Sequence, residues 1–345
     1  MIKLKSIRKF ILISVLGLML IPLSVFAASP SEGSLANNYS VIPHFGSSQI
    51  QTSTSFYDMV LKPNQSDHFS ISLTNQTDKT QKYKISINTA TTNDNVIVDY
   101  TKDQFKKDPS MGLELSSLIT PKTKEVSLSA KEEKTIDFEL KTPAQGFNGI
   151  LLGSLVVRSV SSEQTDSGIK NVFMHTIAIR LKENSQAISA QLEGGAVHLG
   201  QENLHNVISM SVRNPQPVLL TQVQGTFTIT KSHSKEKLVE VKKKDLSIAP
   251  NSCFNIPVQL NDQFKAGKYE YTVQLSNSEG SWSFKKAFNI KKSTADYYNK
   301  TAVTARKPSS NLWLIFVLVL IILLLLASII YLVLMQKRRN HSNKE

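Results

Sequence analysis

Apolar and polar residues alternate one by one along most of the middle of this chain, and this period of two limits what the chain can fold into. Because successive side chains of a β-strand point to opposite faces, such runs place one face on a core and the other in water. The apolar members of the clearest runs are Phe69, Ile71 and Leu73; Tyr83, Ile85 and Ile87; Ile136, Phe138 and Leu140; Ile177, Ile179 and Leu181; Ile208, Met210 and Val212; Phe254, Ile256, Val258 and Leu260; and Tyr269, Tyr271, Val273 and Leu275. Turn-forming pairs such as Pro63-Asn64 and Pro250-Asn251 separate these runs at the spacing of a sandwich. The sequence therefore predicts an all-β body.

The body is long enough for two ordinary domains. A polar stretch at residues 159–168 has no apolar period, which is typical of a boundary between domains. We therefore expect two tandem immunoglobulin-like β-sandwich domains, at residues 38–160 and 168–292. A stalk is expected to follow at residues 293–311.

The first residues of the chain have the order of a secretory signal peptide. Basic residues at positions 3–9 precede an apolar run from Phe10 to Ile21, and small residues follow. We expect residues 1–27 to be removed by cleavage after Ala27, with cleavage after Ala28 as the alternative. A retained membrane anchor is the other interpretation of this segment.

A second apolar segment begins at Leu312 and ends at Met335 without a charged residue. At about 1.5 Å per residue, such a helix is long enough to cross a hydrocarbon core of roughly 30 Å. The basic residues that follow it, from Lys337 onward, favour the cytoplasmic side. The sequence predicts one transmembrane helix at 312–335, a cytoplasmic basic tail at 336–345, and an extracellular body.

Charge and cysteine content narrow the class of protein further. The formal net charge of the chain is +13. Much of it lies in the predicted signal peptide and the predicted basic tail, and the remaining positive charge is spread over the body. This weak basic character favours anionic cell-surface polymers over nucleic acid, because the basic residues show no aromatic interleaving. Cys253 is the single cysteine, so no internal disulfide can form and the cores must hold the fold. We expect Cys253 to be a buried small hydrophobe.

No grouping of catalytic residues has a recognisable spacing. The histidines include no pair at the i, i+4 spacing of a helical zinc site, and no G-x-S-x-G motif is present. Cys253 has no histidine near it in sequence. We therefore predict a protein that is not an enzyme and has no metal or cofactor. A hydrolase of wall polymers is the alternative from the enzyme class.

A polar segment near the middle of the first predicted domain is the candidate ligand-binding site. Its residues are Asn88, Thr89, Thr91, Thr92 and Asn93. Amides and hydroxyls in a row can exchange hydrogen bonds with the acetamido and hydroxyl groups of a sugar chain without burying a charge. The same residue types also satisfy backbone groups at strand ends and turns, so a structural role is the competing interpretation.

A proline-containing segment in the second predicted domain is the candidate partner-binding edge. It consists of Asn214, Pro215, Gln216 and Pro217. Proline cannot donate to a β-ladder, so this segment is expected in a loop or an edge strand. A partner strand could add to an exposed edge, whereas the alternative is an edge that these prolines protect from aggregation.

Several phrases of the body also resemble a known family. They are YSVIPHFGSSQIQTSTSFYDMVLKPNQ at 39–65, LTNQTDK at 73–79 and ISINTATTN at 85–93 in the first predicted domain, and IAIRLKEN at 177–184, VRNPQPVLL at 212–220, IAPNSCFNIPV at 248–258 and AGKYEYTV at 266–273 in the second. In this combination the chain resembles the WxL-interacting cell-surface proteins of Gram-positive bacteria.

The resemblance implies a membrane-anchored, non-enzymatic surface protein whose body faces the cell wall. It implies peptidoglycan as the ligand of the first domain and host proteins, such as those of the extracellular matrix, as ligands of the second. It also implies WxL-domain surface proteins as partners. The expected function is therefore adhesion or adaptor binding, with a passive surface scaffold or spacer as the alternative.

Overall fold

The computed structural model describes residues 38–160, 173–232, 234, 236–260, 263–303 and 312–342. The predicted signal peptide, most of the predicted boundary at 159–168 and the last three residues of the predicted tail lie outside these ranges. Within them, nearly every element is a β-strand. The predicted all-β class is confirmed.

The first half of the body forms two facing sheets. Its strands are β1 (Tyr39–His44), β2 (Tyr57–Val60), β3 (Ser66–Asn75), β4 (Gln81–Thr89), β5 (Thr91–Thr92), β6 (Val98–Asp99), β7 (Ile119–Thr120), β8 (Thr123–Leu128), β9 (Glu133–Lys141), β10 (Leu151–Val160) and β11 (Met174–Lys182). One sheet has the order β1-β3-β9-β7 and the other the order β2-β11-β10-β4-β8, while β5 and β6 form a separate hairpin. A 3-10 turn, Leu115–Ser117, precedes β7.

One hydrophobic core fills the space between these two sheets, and we call the assembly the first sheet pair. The Tyr57 ring of one sheet lies 4.6 Å from the Phe69 ring of the other. The Tyr39 hydroxyl donates a hydrogen bond to the Val157 carbonyl at 2.8 Å, again from one sheet to the other. The alternating residues predicted to face a core, such as Ile85, are buried there.

Strand β11 lies in the first sheet pair, although its residues were expected in the second domain at 168–292. It pairs antiparallel with β10 and parallel with β2. Ile177, Ile179 and Leu181 are buried in the first core. β11 is the antiparallel neighbour of β10 in the same sheet, and the alternation of apolar residues carries no information about which sheet a strand joins.

The second half of the body forms another two sheets, the second sheet pair. Its strands are β12 (Glu193–Glu202), β13 (His205–Asn214), β14 (Leu220–Lys231), β15 (Lys237–Ile248), β16 (Ser252–Gln259), β17 (Gly267–Asn277) and β18 (Gly280–Ile290). The sheet orders are β12-β13-β16 and β15-β14-β17-β18, with a second core between them. The Tyr271 hydroxyl crosses this core to donate to the Ile256 carbonyl at 2.9 Å.

Helix α1 (Lys292–Thr301) occupies the first part of the predicted stalk and packs on the second core. Ala295 is buried there, and the Tyr298 hydroxyl donates to the Leu199 carbonyl at 3.0 Å. The side-chain amide of Asn299 donates to the Phe264 carbonyl at 2.9 Å. Residues 292–301 therefore belong to the second sheet pair rather than to a stalk.

Helix α2 (Leu312–Ser342) contains the second apolar segment. Its section from Phe316 to Met335 has a mean hydropathy of 3.4, and by length and composition it is able to cross a membrane. The backbone helix continues beyond Met335 into the predicted basic tail. The predicted apolar helix is thus present and extends further than the uncharged run.

The two sheet pairs meet at a small apolar cluster, which we call the junction. It contains Ala90, Val98 and Leu152 from the first pair and Ala249 from the second. Because the pairs share this buried contact, their independence as two folding domains stays a prediction.

Candidate functional site

The predicted ligand-binding segment runs from the end of β4 into the β5–β6 hairpin, beside the junction. Asn88, Thr89, Thr91 and Thr92 are buried, and Asn93 is half-buried. The structure therefore brings these residues together. Most of them lie in the protein interior, and some also line clefts in its surface.

Asn93 has a defined structural role at the turn of the hairpin. Its side-chain oxygen accepts hydrogen bonds from the backbone N–H groups of Asn95 at 3.0 Å and Ile97 at 3.2 Å. This is the turn-forming behaviour that asparagine favours, because its short side chain can bond to the backbone just ahead of it.

Thr92 connects the two sheet pairs through its hydroxyl. The oxygen lies 2.7 Å from the Ser252 hydroxyl and accepts a hydrogen bond from the Ala249 N–H at 2.9 Å. Thr92 and Ser252 are both buried. One side chain of the predicted ligand segment thus satisfies a buried backbone donor of the other sheet pair.

The predicted partner-binding edge also lies at the junction, so the two predicted sites are neighbours. The Pro217 carbonyl accepts a hydrogen bond from the Ile150 N–H of the first sheet pair at 2.8 Å. Asn214 is buried, and its side-chain amide donates to the carbonyls of Val218 at 2.8 Å and Ala249 at 2.9 Å. Part of this edge is therefore occupied by the first sheet pair of the same chain.

A cleft, which we call the outer cleft, lies on the outward face of the sheet that contains β4 and β10. Ser86, Asn88 and the buried Val156 contribute to its floor. Residues 100–114 form a long connection that provides one wall, where Asp103 and the half-buried Phe105 line the cleft.

Asn88 holds this wall in place while leaving an acceptor for a ligand. Its side-chain N–H donates to the Tyr100 carbonyl at 3.2 Å, and the Ser154 hydroxyl donates to the same carbonyl at 2.6 Å. The side-chain oxygen of Asn88 accepts no hydrogen bond from any residue that the structure describes. An amide that is 4% exposed at the floor of a cleft, with a free acceptor, is suited to take an N–H or O–H from a ligand.

A second cleft, which we call the junction cleft, lies between residues of the two sheet pairs. It is lined by Thr91 and Thr92 of the first pair and by Cys253 and Asn255 of the second, and Phe105 contacts both clefts. Phe105 is therefore the aromatic side chain shared by the two clefts.

Cys253 is not the buried core residue that its sequence suggested. It is half-buried on the outward face of β16, and its sulfur lies 3.5 Å from the Lys106 carbonyl. Burial, followed by the nearby charge of Asp108, raises the pKa of its thiol. The alternation of β16 explains the error, because Ser252 and Phe254 on either side of Cys253 face inward.

An ion pair between Asp108 and Arg213 joins the wall of the clefts to the second sheet pair. The guanidinium donates to the Asp108 carboxylate at 2.8 Å. Burial alone would raise the pKa of Asp108, but hydrogen bonds from Ser110 and Arg213 outweigh it and hold this pKa below its usual range. Sequence reasoning missed this pair. The Asp-Pro-Ser sequence at 108–110 signals only a turn.

The facing sheets with their two cores place the chain in the class of all-β sandwich proteins. Two family models match it in sequence: "WxL Interacting Protein, peptidoglycan binding domain" at residues 39–159 and "WxL Interacting Protein, host binding domain" at residues 164–300. Together they span most of the chain in this order. The chain belongs to the WxL-interacting protein family.

Similar solved structures are distant. They include a chaperone–tip adhesin complex of CFA/I fimbriae (16% identity, 72% of this chain, 98% of that chain, TM-score 0.29). The E. coli chaperone DraB is another (14%, 73%, 97%, TM-score 0.27), as is the Salmonella enterica SafA pilin in complex with the SafB chaperone (9%, 65%, 89%, TM-score 0.25). No curated protein sequence matches the chain.

Proposed function

We propose that this protein is a membrane-anchored surface adaptor that holds peptidoglycan through its first sheet pair. The observation that carries the proposal is the outer cleft, whose lining residues apart from Met174 lie within the residues matched by the peptidoglycan-binding model. Its free Asn88 oxygen can accept a hydrogen bond, and Phe105 offers an aromatic side chain to an apolar ligand face. Binding by surface complementarity needs no catalytic residue.

The contact residues that we propose follow from the two clefts. Asn88 and Thr89 line the outer cleft, and Thr91 and Thr92 line the junction cleft. Asn93 supports the same segment through its turn. Because Thr92 also holds the junction, Asn88 is the member of this set that best separates ligand binding from folding.

For the second sheet pair we propose the binding of host extracellular proteins, and we propose WxL-domain surface proteins as further partners of the first sheet pair. The match to the host-binding model at 164–300 supports the host-binding role. We keep Asn214, Pro215, Gln216 and Pro217 as the proposed edge, although the Pro217 carbonyl already bonds within the chain. The proposed mode of binding is the addition of a partner strand at this edge.

For the membrane topology we propose a single pass through α2, with the body outside and the C-terminus in the cytoplasm. The apolar section of α2 and the basic residues after it support this arrangement. Protease added to intact cells that lack a wall should remove the body and leave a short protected fragment containing α2. Complete digestion of a C-terminal epitope tag under these conditions would contradict the proposed topology.

The test of peptidoglycan binding is sedimentation of the full-length protein, in detergent, with purified peptidoglycan sacculi. We expect the wild-type protein to sediment and the variants Asn88→Ala and Phe105→Ala to sediment less. Asn289→Ala is the matched control, since Asn289 is exposed on β18 in the second sheet pair. If the wild-type protein stays in solution, the proposal fails and the spacer alternative gains support. Release of soluble fragments from the sacculi would instead indicate a hydrolase.

A further inference from the structure

Three cationic side chains line the outer cleft. Lys84 on β4 and Arg158 on β10 are directly opposite each other in the strand register, and both are half-buried. Lys122 lines the cleft just before β8. None of the three is in an ion pair with any residue in the described ranges. Cations held next to one another without a partner repel, so this arrangement favours an anionic ligand.

The acidic residues near the cleft do not cancel this charge. Glu114 is paired with Lys107 at 2.5 Å. Glu125 is opposite Lys84 in the register of β4 and β8, but no ion pair joins them. Asp103 remains on the wall formed by residues 100–114. Positive charge therefore lies along the strands, and of the two wall carboxylates that line the cleft only Asp103 has no ion pair with a described residue.

The floor of the cleft adds an acceptor and an apolar surface. The free side-chain oxygen of Asn88 can accept a hydrogen bond from an amide N–H, and the buried Val156 offers contact to a methyl group. A neutral sugar would use the acceptor but leave the cations unsatisfied. A short peptide could use every feature of the cleft. Its free carboxylate would meet the cations, its amide N–H would donate to the Asn88 oxygen, and its small apolar side chains would contact Val156.

We propose that the outer cleft binds the carboxylate-bearing peptide part of peptidoglycan rather than its neutral glycan. The peptide carboxylate lies between Lys84 and Arg158, and a peptide N–H donates to Asn88. Arginine and lysine form short, charge-assisted hydrogen bonds with carboxylates, and arginine can do so with two parallel bonds. This inference rests on the proposed binding of peptidoglycan and specifies which of its chemical groups is recognised.

The experiment measures binding of three soluble probes to the full-length protein in detergent by isothermal titration calorimetry. The probes are a peptidoglycan stem peptide, the same peptide with its carboxylates converted to amides, and an N-acetylglucosamine oligomer. We expect binding of the free-acid peptide alone, weakened roughly tenfold by Lys84→Gln and by Arg158→Gln. Lys124→Gln is the control, because Lys124 is exposed on β8 and does not line the cleft.

The outcomes separate this inference from the proposed function. If sacculi sediment the protein but the amidated peptide binds as well as the free acid, the carboxylate is not recognised and the inference is overturned. The inference also fails if only the sugar oligomer binds, or if Lys124→Gln weakens binding as much as the two cleft variants. If neither sacculi nor any probe binds, the proposed function itself fails.

Discussion

The hydroxyl groups of Thr92 and Ser252 lie 2.7 Å apart across the junction of the two sheet pairs. The Thr92 oxygen also accepts the N–H of Ala249, a donor with no access to water. We expect Thr92→Val to lower the free energy of unfolding by about 1–3 kcal/mol, because it leaves this donor unsatisfied. Denaturant unfolding checks the value, with Thr221→Val as an exposed control on β14. Equal unfolding curves for the two variants would contradict the junction contact.

The Asp108–Arg213 ion pair predicts a specific dependence of stability on pH. The pKa of Asp108 in the folded protein lies below its usual range. The ion pair therefore contributes fully to stability at pH values above the pKa of Asp108 in the unfolded chain, which is about 4. The contribution is lost as the pH falls through the lower, folded value. We expect the difference in Tm between the wild type and Asp108→Asn to be largest from pH 5 to 7 and to shrink below about pH 4. A difference in Tm that grows as the pH falls would contradict the predicted direction.

Gly149 provides a test of the close approach between the sheet pairs. Its φ is +75°, and a Cβ built there would lie 2.4 Å from the Pro217 carbonyl oxygen. We expect Gly149→Ala to destabilise the protein by at least about 1–2 kcal/mol, since the left-handed backbone alone costs this much. Gly112→Ala is the matched control, because a Cβ at Gly112 meets nothing within 4 Å. Thermal unfolding that is equally affected by both substitutions would count against the contact.

The ion pair between Arg180 on β11 and Asp58 on β2 allows the position of β11 in the first sheet pair to be tested. The Arg180 Nε atom donates to Asp58 Oδ1 at 2.7 Å, and the Asp58 side chain is 8% exposed. Arg180→Met leaves that carboxylate without its charge partner, and we expect a loss of about 1–3 kcal/mol. Lys182→Met, on the same face of β11 and without an ion pair among the described residues, should cost little.

A double variant distinguishes the contribution of the ion pair to stability from that of the packed aliphatic part of the Arg180 side chain. Because replacing both partners by apolar groups removes the unsatisfied carboxylate, Asp58→Val with Arg180→Met should recover much of the loss seen for Arg180→Met alone. Denaturant unfolding of the three variants supplies the comparison. A double variant as unstable as the sum of its single variants would mean that the two residues do not interact.

The sequence allowed the strands and their buried faces to be predicted, because alternation is a local property. Tyr269, Tyr271, Val273 and Leu275 face the second core as expected. Which sheet a strand joins depends on contacts far away in the chain, so β11 was assigned to the wrong sheet pair. The packing of Tyr298 on α1 depends on tertiary contacts in the same way.

The candidate site was predictable only in part. The amides and hydroxyls at 88–93 marked the segment, and two of them, Asn88 and Thr89, line the outer cleft. Phe105, Lys84 and Arg158 were not selected. Lys84 and Arg158 become neighbours only through the pairing of β4 with β10, and Phe105 joins them only when residues 100–114 fold over the outer face of the sheet. The polar, turn-rich composition of 100–114 was the available signal, but it does not specify where such a connection lies.

The position of β11 also bears on how this protein can be divided. The family boundary falls between residues 159 and 164, whereas the first sheet pair is completed only by a strand at 174–182. A fragment cut at the family boundary would leave β2 without its parallel neighbour and β10 with an open hydrogen-bonding edge. A fragment that is meant to contain the complete first sheet pair should therefore extend through β11, beyond the end of the peptidoglycan-binding match at residue 159.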